Sequence, residues 1–205
     1  MSVFDVLTAD LSWRESELGA LKILLKKKDL TKTQKEVLLR ASWALLYAHY
    51  EGFSKFCLTA FYDEATKRLL DCERLPDRTK LFALQKHIKK LKNLTPLEML
   101  SEIEKFKDFV KNTAPSFPDV DTKSNLWPNV MEDLLLDADI NIDAVNSHSN
   151  KIRTLVSRRN DIAHGHRSII DDVEYYLTFE NAIYDVMYNL AYSIDTRLSQ
   201  PPYAP

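Results

Sequence analysis

Residues 35–70 read KEVLLRASWALLYAHYEGFSKFCLTAFYDEATKRLL, and their spacing decides the fold. Leu38, Ala41, Leu45, Ala48, Phe53, Phe56 and Ala60 recur mostly at threes and fours, the period of an α-helix, and make one stripe. Trp43, Leu46, Tyr47, Tyr50 and Leu58 carry apolar or aromatic surface around the sides. A helix this hydrophobic on several faces is buried by neighbouring helices or by a second subunit, so it reads as the centre of a bundle. Gly52 in mid-helix costs about 1 kcal/mol against Ala, which points to close approach of another backbone there.

Helical periodicity continues on both sides. Trp13, Leu18, Leu21, Leu24 and Leu25 make a first helix over residues 12–28, ending in a Lys26–Lys28 run that suits the negative end of a helix dipole. Thr31 or Thr33 can cap the long helix. Beyond it the chain changes character. Residues 79–94 read as one basic helix, and Thr95-Pro96-Leu97-Glu98 is a capping box that opens another, running to about residue 113. Residues 71–121 are thus expected to be a helical hairpin inserted into a single domain spanning 1–205. A short amphipathic helix follows over 126–137, then one beginning near Ser147 or Ser149 and stopping at Gly165, a residue suited to the left-handed C-terminal cap. Residues 168–177 show no clear pattern. Thr178 can cap the last helix, where Ile183, Val186, Leu190, Ile194 and Leu198 form a stripe.

Composition narrows the class. The chain has 205 residues, 45% of them hydrophobic and 28% charged, which suffices for a globular core. Only three glycines occur, too few for a sheet protein with many tight turns, so an all-α fold is expected. The net charge of −2 excludes a protein that coats nucleic acid through a global positive excess. Two cysteines, Cys57 and Cys72, are no disulfide framework and suit a reducing compartment. The N-terminus lacks the pattern of a signal peptide, and no apolar run nears the roughly 20 residues of a membrane span. A soluble, cytoplasmic protein with no membrane partner is expected.

Chemistry concentrates in Arg159-Asn160-Asp161-Ile162-Ala163-His164, followed by Gly165. Apolar positions Ile152, Leu155, Val156, Ile162 and Ala163 set a stripe whose continuation falls on Arg159, while Arg158 is expected to point outward. A fixed charge in an apolar stripe is costly unless it is paired or faces a cleft. Arg159 and His164 lie about 140° apart around the axis, and long side chains at a helix end can still reach one groove. Asn160 and His164 are four apart, so Asn160 can orient the imidazole. His164 sits in the last turn, where the dipole favours its protonated form. The bland account of Arg159 is a buried salt bridge, with Glu51 on the long helix as its partner. His164 and His166 make a His-x-His pair, but no cysteine or further histidine stands at zinc spacing, so no metal is expected.

The hexad resembles the Arg-polar-x-x-x-His signature of the HEPN superfamily, in particular its nuclease branch with the RiboL-PSP and MAE-type families. Leu45-Leu46-Tyr47-Ala48-His49-Tyr50-Glu51-Gly52-Phe53 is similar to the long second helix of that branch, and Ser124-Asn125-Leu126 ahead of a short helix matches it too. The resemblance covers most of the chain, least of all 71–121. It implies an all-α bundle that dimerises with two signatures facing one cleft. It further implies metal-independent RNA cleavage in which the 2′-hydroxyl attacks the adjacent phosphate. His164 would then move the proton, Arg159 would hold the phosphate, and Asn160 would orient either. No cofactor is implied. The setting would be a prokaryotic toxin with an antitoxin partner, or an anti-phage defence system.

Supporting residues are expected from the long helix, where Arg40, Tyr47 and Glu51 share a face by spacing; for Tyr47 packing is the favoured role. Lys86, Lys89 and Lys90 belong to the densest basic cluster and could track an RNA backbone, although a solvated helix face explains them equally. Two rivals to the nuclease stand. One is a non-catalytic HEPN module that binds nucleotide, RNA or a partner protein. The other is a helical scaffold whose basic hairpin binds nucleic acid.

Overall fold

Capping chemistry sets where the helices begin. Ser2 and Asp5 exchange backbone and side-chain hydrogen bonds, so helix α1 (Val3–Leu25) starts well ahead of the expected residue 12 and adds Leu7 and Leu11 to its buried side. Thr31 and Gln34 do the same for α2 (Lys32–Arg68). The computed structural model describes residues 2–167 and 172–204. Among these the regular structure is all helical, without strands, and continues with α3 (Asp77–Ala83), α4 (Gln85–Lys92), α5 (Pro96–Asn112), α6 (Pro128–Asp137), α7 (Asp143–Ser147), α8 (Ser149–Ala163) and α9 (Val173–Leu198). The all-α fold is as the sequence indicated.

Several boundaries differ from expectation for local reasons. The basic helix over 79–94 is two helices, because the chain turns at Leu84, which is buried together with Ala83. The short α7 precedes α8 and was not legible as a separate element. Asp172 accepts a hydrogen bond from the Glu174 N–H and starts α9 at Val173 rather than after Thr178. Of the stretch that showed no pattern, 168–171 lies outside the described residues.

The core is a four-helix arrangement in which α2 packs against α1, α8 and α9, and α9 also meets α1 and α8. The buried face of α2 is not the stripe expected for it. Trp43, Leu46, Tyr47, Tyr50, Phe53, Cys57, Leu58 and Phe61 are buried, whereas Ala41 and Ala48 are exposed and Leu38, Leu45, Phe56 and Ala60 only half-buried. Three helices enclose the aromatic side of α2, and bulky rings bury more apolar area there than alanines could. The stripe expected on α9 is buried as expected.

Gly52 makes room for a side chain, not for a backbone. A Cβ at that position would lie 3.1 Å from an Arg14 guanidinium nitrogen. Arg14 is buried, ion-paired to Asp10 at 2.7 Å, and reaches Nδ1 of the buried His49 at 3.4 Å. Burial pushes the His49 imidazole down against the opposing pull of Glu17, which lies 2.8 Å from Nε2. Arg14 can donate only to an unprotonated Nδ1, so the neutral ring carries its proton on Nε2, the nitrogen nearest Glu17.

The section from α3 to α5 is attached through aromatic packing. Tyr62 of α2 lies 5.1 Å from Phe82 and 4.5 Å from Phe117 between ring centroids. The Cys72 N–H donates to the Val110 carbonyl at 3.0 Å, and the His87 and Phe109 rings meet between α4 and α5. Cys57 and Cys72 are both buried free thiols. Among the described residues no helix is long and apolar enough to cross a membrane.

Leu155 of α8 is fully buried, so Leu155→Ala is expected to lower stability by about 2–5 kcal/mol in urea titrations, while Leu100→Ala on the exposed side of α5 should stay within about 0.5 kcal/mol. Burial pushes the Tyr47 and Tyr203 phenols up to about 12 and raises those of Tyr50, Tyr62 and Tyr176. Above about pH 10 the unfolded chain therefore binds fewer protons than the native one, and stability must fall as pH rises. Urea midpoints at pH 8 and pH 10.5 check this, and an unchanged or higher midpoint at pH 10.5 would contradict it.

Candidate active site

The hexad lies on the last turns of α8 and its exit. His164 caps the helix, its N–H donating to the Asn160 carbonyl at 2.9 Å. Gly165 adopts φ +75°, the left-handed cap expected of it, and the His166 N–H returns to the Asp161 carbonyl at 2.8 Å. Arg40 of α2 donates to the His166 carbonyl at 2.8 Å, and Asp161 lies 3.2 Å from His166 Nδ1. Arg40 therefore touches the segment that follows the motif. The imidazole of His164 is exposed, and its centroid lies 6.3 Å from that of His166.

Arg159 is half-buried and faces the bundle, as its place in the stripe required. Its guanidinium lies over the Tyr47 ring, 4.6 Å from the centroid. One terminal nitrogen donates to Asn125 Oδ1 at 3.0 Å and to Asn160 Oδ1 at 2.9 Å. Tyr47 is buried, and its hydroxyl accepts the Leu126 N–H at 2.9 Å. Desolvation raises this phenol to about 12; the Leu126 hydrogen bond opposes the rise and the nearby Glu51 carboxylate adds to it. Packing and positioning thus coincide in Tyr47.

Asn125 is delivered by a strained turn. Lys123 and Ser124 take φ values of 55° and 67°, left-handed conformations that cost non-glycine residues on the order of 1–3 kcal/mol each. Asp121 Oδ1 accepts the Lys123 N–H at 2.9 Å, and the Asn125 N–H donates to the Thr122 carbonyl at 3.1 Å. The turn aims the Asn125 amide at Arg159 and the next N–H at Tyr47.

Four expectations about this site need correction. Glu51 forms no ion pair with Arg159 among the described residues; its carboxylate acts on the Tyr47 hydroxyl one turn away, because the Tyr47 ring and two asparagine amides already surround the guanidinium. The Asn160 amide turns to Arg159 and not to His164, since a permanently charged donor offers it the stronger hydrogen bond. Arg158 does not stand in solvent: it is half-buried, stacked 4.7 Å from the Trp43 centroid and 5.6 Å from that of Tyr175. Ala163, placed in the apolar stripe, is exposed at the fraying end of α8.

Lys86, Lys89 and Lys90 are exposed on α4. Lys89 lines a groove of about 570 Å³ with Arg78 and Lys123, but Asp119, Asp121, Asp133 and Asp137 share that wall. Lys90 faces Glu102 and Lys105 across a smaller groove. These carboxylates offset the local positive charge that a phosphate track requires. The sequence offers no role for Asn125 beyond the family likeness of Ser124-Asn125-Leu126; its hold on Arg159 emerges only from the fold. The matched signal for the stacking was also present: aromatics at 43 and 47 on one helix face, and guanidiniums at 158 and 159 opposite.

A family model described as HEPN_MAE_28990-like HEPN matches residues 4–203, nearly the whole chain. The all-helical architecture and the hexad at the end of α8 thus belong to a chain of known kinship: it is a member of the HEPN family. That membership points to a nuclease or an RNA-binding module. No curated protein and no solved structure matches the chain.

Tyr47→Phe keeps the ring beneath Arg159 but leaves the buried Leu126 N–H without its acceptor. A loss of about 1–3 kcal/mol in urea unfolding is expected. An unchanged urea midpoint would show that the hydroxyl does not fix the turn.

Proposed function

We propose that the protein is a metal-independent endoribonuclease, acting as a homodimer with two hexads facing one cleft, in a prokaryotic toxin–antitoxin or anti-phage defence setting. One observation carries the reading. The Arg159 guanidinium is fixed by a ring and by two neutral amide oxygens, with no carboxylate bonded to it among the described residues. Its positive charge is oriented and uncompensated. An RNA phosphate supplies the missing anion, and the charge building on the phosphate in the transition state strengthens that contact.

The chemistry needs a proton taken from the 2′-hydroxyl and one given to the departing 5′-oxygen. The 2′-oxygen attacks the adjacent phosphorus, the P–O5′ bond breaks, and a 2′,3′-cyclic phosphate and a free 5′-hydroxyl result. The nucleophile is held within the substrate itself, which supplies proximity without a metal. His164, exposed at the helix end, is the proton-transfer group. Asn160 and Asn125 are positioning residues that hold Arg159. Arg40 holds the exit segment that carries His164 and His166.

The non-catalytic alternative, a module binding nucleotide, RNA or a partner protein, is favoured by a different observation. Asn160 is engaged with Arg159, so its side chain does not hold the His164 ring. In the nuclease reading the partner subunit completes that end of the site.

The two readings part on purified protein. Cleavage of single-stranded RNA is expected to persist in EDTA and to leave cyclic phosphate ends. Arg159→Ala and His164→Ala should each lower the rate by about 10²–10⁴-fold while the dimer, followed by analytical ultracentrifugation, stays folded. Arg159→Lys should not restore activity, because an ammonium cannot reproduce a planar stacked donor. Parent-like cutting by both alanine variants would remove these residues from the mechanism; RNA left intact by the parent would leave the binding module.

A further inference from the structure

Arg158 has no place in the chemistry above, and its surroundings are unusual. Its guanidinium lies against Trp43 and Tyr175, its Nε is buried without a hydrogen-bond partner, and it forms no ion pair among the described residues. Two other enclosed guanidiniums in this chain are neutralised: Arg14 by Asp10 and Arg197 by Asp139, at 2.7 and 2.9 Å. A second uncompensated cation beside Arg159 calls for a second anion.

Tyr175 supplies the other half of the feature. It sits in the first turn of α9 and is 43% exposed. Phe179 braces its ring edge-on at 4.9 Å, and Trp43 lies behind at 6.2 Å. The ring is held in place yet open to solvent, as a stacking platform must be. Trp43 and Tyr47 are one turn apart on α2, so the cations stacked on them sit in consecutive positions, about 6 Å along that helix. One nucleotide offers both a phosphate for the guanidinium and a base for the exposed ring.

We propose that Arg158 and Tyr175 form a nucleotide subsite adjoining the hexad, in which a base stacks on Tyr175 and its phosphate meets Arg158. The RNA strand then leaves the reacting centre along the α8–α9 side of the bundle and not over the basic face of α4. This rests on the nuclease reading and names where its substrate lies.

The test uses the full-length protein and short fluorescent single-stranded RNAs. Tyr175→Leu, at an exposed position, is expected to raise KM about tenfold with kcat altered less than twofold, and to weaken the preference for the base beside the cut. Tyr175→Phe should recover the lost affinity, and Arg158→Lys, which keeps the charge but not the planar stack, should not behave as the parent does. In a His164→Ala background, anisotropy titration should show the same tenfold weakening on adding Tyr175→Leu. If the parent cuts RNA while Tyr175→Leu and Arg158→Lys leave KM, Kd and cut sites unchanged, the subsite is wrong and the nuclease stands. If joint replacement of Lys86, Lys89 and Lys90 by Gln weakens binding where Tyr175→Leu does not, the strand runs over α4 and the subsite is again wrong. A parent that neither binds nor cuts RNA sinks both readings.

Discussion

Two guanidinium groups are packed against aromatic rings in this bundle with no carboxylate among the described residues to neutralise either. Removing a cation from water costs several kcal/mol, and a cation–π contact returns about 0.5–2 kcal/mol. For Arg159 two asparagine oxygens offset part of the remainder; for Arg158 no hydrogen bond to Nε does. The deficit organises its neighbourhood. The long helix α2 must present Trp43 and Tyr47 at one-turn spacing, α8 must dock with Arg158 and Arg159 in register, and residues 122–126 must take a strained path to bring Asn125 and the Leu126 N–H into place. A fold that held these charges only for stability would do better with apolar residues of similar size.

The rest of the molecule shows that the chain can neutralise its charges. Arg14 is closed off by Asp10 between α1 and α2, and the fully buried Glu180 is met by Lys22. Arg78 takes Asp137, and Arg197 takes Asp139. Against that background the two adjacent arginines of α8 stand apart by what they lack. Family membership gives the difference a meaning, since a nuclease or RNA-binding module must keep positive charge available for an anion that arrives from outside.

How much of this was legible in the sequence follows from range. Helix content, the caps at Thr31 and Thr95, the turn at Gly165 and the inward phase of Arg159 are local or periodic properties, and all appeared in the residue pattern. The buried face of α2 did not, because that helix is apolar on several sides and only its neighbours decide which side is enclosed. Arg158 was misplaced for the same reason: helical phase gave its direction, but not the presence of Trp43 and Tyr175 in that direction. The partner of Arg159 was sought among acids, the ordinary neutraliser, and proved to be two amides, one brought from 34 positions away by a turn with no glycine to announce it.

Gly52 and Arg14 carry a consequence for how this chain can change. The missing side chain at 52 is the socket in which the guanidinium sits, and that guanidinium links Asp10, His49 and the Trp13 ring across the α1–α2 contact. The two positions therefore act on one contact. A side chain at 52 would press on the Arg14 guanidinium, and any shift there would act on Asp10 and His49 together, because they share that partner. A change at any one of these positions is thus felt by the others across the contact between the first two helices.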